Sequence, residues 1–429
     1  MDKEVKPGAY VRVESEEGSH EGIVMERSFL ADADNIILKL DSGYNIGIEK
    51  SKIIKIQNLQ KKLSENEAEH VPPKKTTSNL LPQVSILATG GTIASRVDYI
   101  TGGVVSATSA QELIAAVPEL GSVAQLSAIQ VFNKFSENLT PADWITIAKS
   151  AYDELKKQKP KGIVITHGTD TMGYTSAALS FLLKTPVPVV LTGAQRSSDR
   201  GSSDAALNLI GATRFAGTAD FSGVTVAMHG TPDDTSVTIH PGTRVKKLHS
   251  SRRDAFKTVG DKPIAKVRGE KIEFLKKEDK KSTIQLSLDE KLEQNVTLLK
   301  YAPGLNPKII DQLVSNGVKG IVIEGTGLGH TSDSFIKPLS DAISSGVLVI
   351  MTSQTIWGRV NMNVYSTGRN LLEAGVIPGE DMLSETAYVK LMWVLAKEKK
   401  PEQVRKLMLT NVAGEITEKS LIEKEDENK

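Results

Sequence analysis

Residues 161–183 read KGIVITHGTDTMGYTSAALSFLL. The apolar run over 162–166 is short, β-branched and led by glycine, the composition of a strand buried on both faces. The stretch 171–184 then takes up the spacing of a helix with one apolar side. Between them lie His167, Gly168, Thr169, Asp170 and Thr171, so hydroxyls flank a carboxylate where a strand gives way to a helix. The same alternation extends in both directions. VSILAT (84–89), AIQVF (128–132), VPVVLT (187–192) and GVTVAMH (223–229) read as strands, with helices near 109–117 and over 140–157 and 203–216. Strands alternating with helices specify a parallel sheet covered by helices. KGIVI recurs at 161–165 and 319–323, and a second α/β segment starts near 295. Thr140, Pro141 and Asp143 carry the marks of a helix start, a cap residue followed by a first-turn proline and a capping-box acid.

Before residue 58 the period is different. AYVRVE, EGIVME, NIILKL, YNIGI and KIIKIQ are short alternating strands divided by polar turns, which suits a small SH3-like β-barrel over 1–57. Residues 58–82 are charged, contain Pro72-Pro73 and read as a linker. The remaining divisions are an α/β domain at 83–290, a second at 291–415 and a polar tail at 416–429. A chain of 429 residues suggests about three domains by length alone.

Composition removes several classes of chemistry. Lys and Arg total 53 against 52 Asp and Glu, which argues against a protein devoted to coating nucleic acid. No apolar run nears the roughly 20 residues of a membrane helix, and the charged start MDKEVKPGAY has no secretory core, so a cytoplasmic protein is expected. There are no cysteines, so covalent catalysis here needs a hydroxyl or an amine. The seven histidines show no metal-ligand spacing, and no GxxxxGK[ST] loop offers a site for ATP.

In parallel α/β sheets ligands gather beyond the carboxyl ends of the strands. Those ends carry TGGTIAS (89–95), NKFSEN (133–138), THGTDT (166–171) and TGAQRSSD (192–199), followed later by RVKKLHSSRRD (244–254). Hydroxyls, carboxylates and lysines are thereby directed to one edge. Each piece has a plainer reading: TGGT as a tight turn, Thr169 and Asp170 as helix caps, Lys246-Lys247 and Arg252-Arg253 as a solvated face.

The set in this order resembles the type I/II L-asparaginases and their glutaminase relatives, over residues 84 to 415, with TGGTIAS and HGTDTM (167–172) as the two signature motifs. With the added barrel, the chain is similar to the D-subunit family of archaeal-type heterodimeric glutamyl-tRNA(Gln) amidotransferases. The resemblance implies two asparaginase-like α/β domains with parallel sheets. It also implies a glutaminase whose ammonia passes to an E subunit, which activates Glu-tRNA(Gln) with ATP and Mg2+ and amidates it. This chain would then hold no cofactor of its own, pair with itself as a dimer and meet tRNA mainly through the partner. The implied catalytic set is Thr92 as nucleophile, Tyr99 assisting, and Thr169, Asp170 and Lys247 as a proton relay. Ser136, Glu137, Gly91 and Ala194 would line the substrate, Ser136 at its α-carboxylate and Glu137 and Asp170 at its α-ammonium. Thr92 and Thr169 both stand as first nucleophile, and the relay lysine is Lys247 or its neighbour Lys246. Where the family carries V-T-K-T this chain has V-K-K-L, and where it often carries Glu after HGTDTM this chain has Gly173 and Tyr174. Two other readings remain: a stand-alone L-asparaginase/glutaminase, and a non-catalytic scaffold that binds tRNA or a partner.

Overall fold

Alternation decides the first unit. The strands β1 (Tyr10–Ser15), β2 (Gly18–Val24), β3 (Asn35–Leu40), β4 (Asn45–Glu49) and β5 (Ile53–Asn58) form one antiparallel sheet in the order β4-β3-β2-β1-β5. Val11, Val13, Leu38 and Ile48 point inward to a small separate core, two of them separated by one residue on β1 as period-2 patterning requires. The structure, a computed structural model, describes residues 5–6, 8–16, 18–25, 35–40, 45–59, 81–91, 95–97, 104–106, 110–115, 117–196, 203–276 and 284–419. Most of the expected linker therefore lies outside the described residues.

The second unit comprises β6 (Gln83–Ala88), β7 (Ser95–Val97), β8 (Val104–Ser106), α1 (Ala110–Ala115), β9 (Gln125–Gln130), α2 (Pro141–Lys157), β10 (Gly162–Thr166), α3 (Met172–Leu182), β11 (Leu183–Lys184), β12 (Pro188–Thr192), α4 (Ala205–Thr218) and β13 (Gly223–His229). It continues through β14 (Val237–Pro241), β15 (Val245–Lys247), β16 (Phe256–Thr258), β17 (Ala265–Arg268), β18 (Lys271–Phe274) and β19 (Ser287–Leu288). The main sheet runs β18-β17-β14-β13-β12-β10-β6-β9. Its strands from β9 to β13 are parallel, as expected. The far edge differs: β14, β17 and β18 are antiparallel to their neighbours, and the short turns from β13 to β14 and from β17 to β18 leave no room for a crossover helix. At the start of α2, Asp143 accepts the Thr140 N–H at 2.8 Å and the Thr140 hydroxyl at 2.9 Å, the capping acid expected from sequence.

The chain order places a crevice. From β6 the chain moves to β9 on one side, then β10 returns to the other side of β6 and leads on to β12. Loops leaving β6 and β10 therefore diverge, and ligand sites form at such a switch point. The register sets Ala88, Thr166 and Thr192 side by side, so the loops beyond them start at one level.

The third unit contains β20 (Val296–Lys300), α5 (Lys308–Ser315), β21 (Gly320–Gly325), α6 (Ile336–Ser344), β22 (Leu348–Ser353), α7 (Ser366–Glu373), β23 (Ile377–Pro378), α8 (Ser384–Lys397) and α9 (Pro401–Met408). Its four strands are parallel and stack in chain order. One apolar core spans the second and third units through α3 and α8, where Phe181 stacks on Trp393 with centroids 5.6 Å apart. Truncating either buried ring costs about 3–5 kcal/mol, so the two sheets are held as one body.

Residues 416–419, within the expected polar tail, are tied to the third unit. The Thr417 N–H donates to Asp381 at 3.0 Å, and Arg359 donates to the Thr417 carbonyl at 2.6 Å. Asp381 also binds Arg244 at 3.0 Å with both side chains buried, which anchors the chain just before β15.

Candidate active site

Two glycines decide how closely the loops meet. Gly91 has φ +84°, and a Cβ there would lie 2.3 Å from the Gly168 nitrogen. A Cβ on Gly168 would lie 2.7 Å from the Ser136 Oγ. The ends of β6 and β10 and the turn at Ser136 can therefore touch only because these positions lack side chains. Ser136 is buried, and its carbonyl accepts the Thr171 hydroxyl at 2.8 Å. Glu137 is exposed beside it, and its carboxylate bonds to none of the described residues. Gly193 and Ala194 are buried at the end of β12, against His167 and Thr169.

Lys247 closes the crevice from β15. Its Nζ donates to Thr169 Oγ1 at 2.9 Å and to Asp170 Oδ1 at 2.7 Å. Thr169 is buried, whereas the Asp170 side chain is 68% exposed, so the lysine bridges an enclosed hydroxyl and a carboxylate open to water. Lys246 turns to the opposite face, as alternation on a strand demands, and pairs with Glu385. The geometry thus separates two adjacent lysines that sequence left as alternatives. Thr169 and Asp170 do not cap α3, which begins at Met172 with no side-chain cap. Gly173 explains one departure from the family pattern, since a side chain there would press on the Val245 carbonyl of β15 at 3.2 Å. Tyr174 packs edge-on against Tyr388, and burial followed by the charges of Glu385 and Glu324 pushes its phenol upward. Thr92 and Tyr99 lie outside the described residues.

Three supports were not read as site residues. His167 is fully buried with Nδ1 2.6 Å from the Gly168 carbonyl and Nε2 2.8 Å from Thr175 Oγ1. Burial, resisted by the Gly168 bond, lowers it to about 4, so it is a neutral prop beneath the loop. Gln195 accepts from Thr169 at 3.4 Å, and buried Asp204 takes the N–H groups of Gln195 and Arg196 at 3.0 Å. The signal for His167 lay in the motif itself. Asp204 has none, because its partners are reached only through a loop.

The basic run 246–253 is largely neutralised from within. Arg252 pairs with Asp254 at 2.7 Å and Arg253 with Asp234 at 2.6 Å, beside the pairs already made by Lys246 and Lys247. Among the described residues no group of three or more His, Cys, Asp or Glu side chains could hold a metal ion, and no helix is long and apolar enough to cross a membrane. A buried hydroxyl, a lysine and a carboxylate in bonding sequence beside a glycine-lined crevice can move a proton to or from a bound amide.

Comparison with known proteins agrees with this geometry. Residues 83–280 match the family described as asparaginase, N-terminal, and residues 295–408 the glutaminase/asparaginase C-terminal domain. Residues 5–59 match the GatD N-terminal domain. The chain is 51% identical over 422 residues to the D subunit of glutamyl-tRNA(Gln) amidotransferase from Pyrococcus furiosus, covering 97% of this chain and 96% of that one. It is 49% identical over 416 residues to the protein of the same name from Methanothermobacter thermautotrophicus, covering 97% and 95%. Among solved structures it is similar to the thermostable L-asparaginase from Thermococcus kodakarensis, with TM-score 0.71 and 35% identity over 79% of this chain and 100% of that one.

Proposed function

This chain belongs to the family of glutamyl-tRNA(Gln) amidotransferase D subunits, and from that premise we propose that it is a glutaminase. It hydrolyses glutamine and supplies ammonia for the conversion of Glu-tRNA(Gln) to Gln-tRNA(Gln) by a partner E subunit. One observation carries the reading: Lys247 Nζ bonds at once to Thr169 Oγ1 and Asp170 Oδ1 at the switch point of the main sheet.

In the proposed reaction the Thr92 hydroxyl attacks the carboxamide carbon, and the C–N bond of the tetrahedral adduct breaks to release ammonia. Water then cleaves the acyl-threonine to glutamate. A free threonine hydroxyl is a weak nucleophile and needs a base. Thr169, Lys247 and Asp170 act as the relay that takes up its proton and returns one to the leaving nitrogen. Ser136 receives the substrate α-carboxylate, Glu137 and Asp170 its α-ammonium, and Gly91 and Ala194 the groups between. Gln195, tied to Thr169, fixes the rotamer of that hydroxyl. His167 fixes the Gly168 carbonyl beneath it.

The division at 57, 82, 290 and 415, the self-paired dimer and a cytoplasmic setting belong to the same proposal. ATP and Mg2+ act at the partner, and tRNA meets mainly the partner, because the basic run at 246–253 is committed to internal acids. A second reading, a stand-alone asparaginase, is favoured by the likeness to a complete L-asparaginase. Ammonia release from the purified chain, offered glutamine and asparagine separately, divides the two. Little turnover alone, rising on glutamine when charged tRNA and the partner are added, supports the glutaminase role. Brisk turnover of asparagine by the chain alone refutes it.

A further inference from the structure

The relay hydroxyl is held from a second direction. Lys247 donates to Thr169 Oγ1, so the hydrogen of that hydroxyl is left for another acceptor, and Gln195 Oε1 receives it at 3.4 Å. The Nε2 of the same carboxamide is buried with no hydrogen-bond partner among the described residues, so no bond there fixes its aim. The place of Oε1 therefore depends on the Gln195 backbone. Asp204 fixes that backbone by accepting the Gln195 and Arg196 N–H groups at 3.0 Å. Asp204 stands at the cap position of α4, yet its carboxylate makes no cap bond to the helix. It is turned to the loop instead.

Two further side chains hold it there. Asn208, one turn along α4, donates from Nδ2 to Asp204 Oδ2 at 2.9 Å and to the Gly193 carbonyl at 3.0 Å. Its Oδ1 is thereby the atom that faces His229 Nδ1 at 2.6 Å, and the imidazole nitrogen is the donor. On the other side of the ring, Nε2 lies 3.2 Å from Asp234, an exposed acid that also pairs with Arg253. Asp204, Asn208 and His229 are each fully buried. Buried polar groups bonded in series fix one another's orientation, and a break in the series leaves a polar atom unsatisfied.

We infer that His229 and Asn208 are positioning residues for the relay. Through Asp204 and the Gln195 backbone they set the acceptor that aims the Thr169 hydroxyl. His229 acts through Nδ1, since its Nε2 meets only the exposed acid. The inference rests on the relay proposed for Thr169 and Lys247.

His229→Asn and His229→Leu separate positioning from packing. Asparagine keeps a donor where Nδ1 stands but leaves a void. Leucine fills the volume but leaves Asn208 Oδ1 buried without a donor. Glutamine turnover is measured in the complete complex, with partner and charged tRNA. The melting temperature and the hydrogen exchange of the Gln195 and Arg196 amides are measured alongside. His229→Leu is expected to lower kcat about tenfold or more, to change KM by less than about threefold and to speed exchange of the two amides about tenfold. His229→Asn is expected to keep kcat within about threefold and to keep the amides protected, even though it melts lower. Asn208→Ala removes the same link from α4, is expected to match His229→Leu, and replaces it in the comparison if that variant does not fold. A kcat that follows melting temperature rather than the donor, or amides equally protected in all three variants, overturns the inference. The glutaminase reading fails separately, through absent ammonia release by the unsubstituted complex, and the exchange pattern then still decides whether His229 and Asn208 hold the loop.

Discussion

Replacing His167 with Gln tests the neutral prop beneath the catalytic loop. In the folded chain the imidazole bonds to the Gly168 carbonyl and the Thr175 hydroxyl, at 2.6 and 2.8 Å, and burial lowers it from 6.5 to about 4. Between those values the unfolded chain takes up a proton that the folded chain refuses. The stability is therefore complete above pH 6.5 and is lost as pH falls toward 4. At 1.36 kcal/mol per pH unit the whole interval amounts to about 3 kcal/mol, with a slope of about 1 kcal/mol per unit near pH 5. His167→Gln removes two hydrogen bonds, a loss of about 2 kcal/mol at pH 7.5, and it also removes the proton uptake. Urea unfolding of both proteins from pH 7.5 to 4 is the assay. The variant starts about 2 kcal/mol less stable, the gap closes near pH 5, and the variant is the more stable at pH 4. His240, also buried and lowered to about 3, is present in both proteins and cancels in the difference. A stability difference that does not change with pH refutes the reasoning.

Lys247→Met should lower glutamine turnover by about 10²–10⁴-fold with little change in melting temperature, since its partner Asp170 is mostly solvated; Lys246→Met should lose at least tenfold less, and steady-state kinetics on the two variants decides. Gly168→Ala drives a methyl to within 2.7 Å of the Ser136 Oγ and should raise KM for glutamine more than it lowers kcat, an outcome read from full saturation curves. Asp381→Ala strands the buried Arg244 guanidinium and should cost about 3–5 kcal/mol, seen as a fall in the denaturant midpoint.

Much of the fold was legible because its signals are local. The β-branched runs at 162–166 and 319–323 can be satisfied only as buried strands, and Thr140 with Asp143 starts a helix wherever that helix packs. The antiparallel edge at 237–274 was not legible, since strand direction depends on hairpin length and on which neighbour has a free edge. The site divides in the same way. HGTDTM announces a strand end bearing a hydroxyl and a carboxylate, but a motif cannot state its partners. Three residues of β15 alternate, and nothing in VKK says which lysine faces the loop. The close passage of α3, permitted by Gly173 beneath the Val245 carbonyl, orients the strand.

The sequence by itself determined that this chain carries an antiparallel barrel-like unit ahead of two α/β units. It also determined that any covalent catalyst in the chain must be a hydroxyl or an amine, and that Thr169 and Asp170 end a buried strand. These follow from periodicity and composition, which act over a few residues. Tertiary structure alone decided that Lys247 rather than Lys246 meets Thr169, that Glu385 claims the other lysine across 139 positions of chain, and that Thr417 is anchored on Asp381. Contacts at such separation depend on how whole elements pack, because only burial of the shared core between α3 and α8 brings them together.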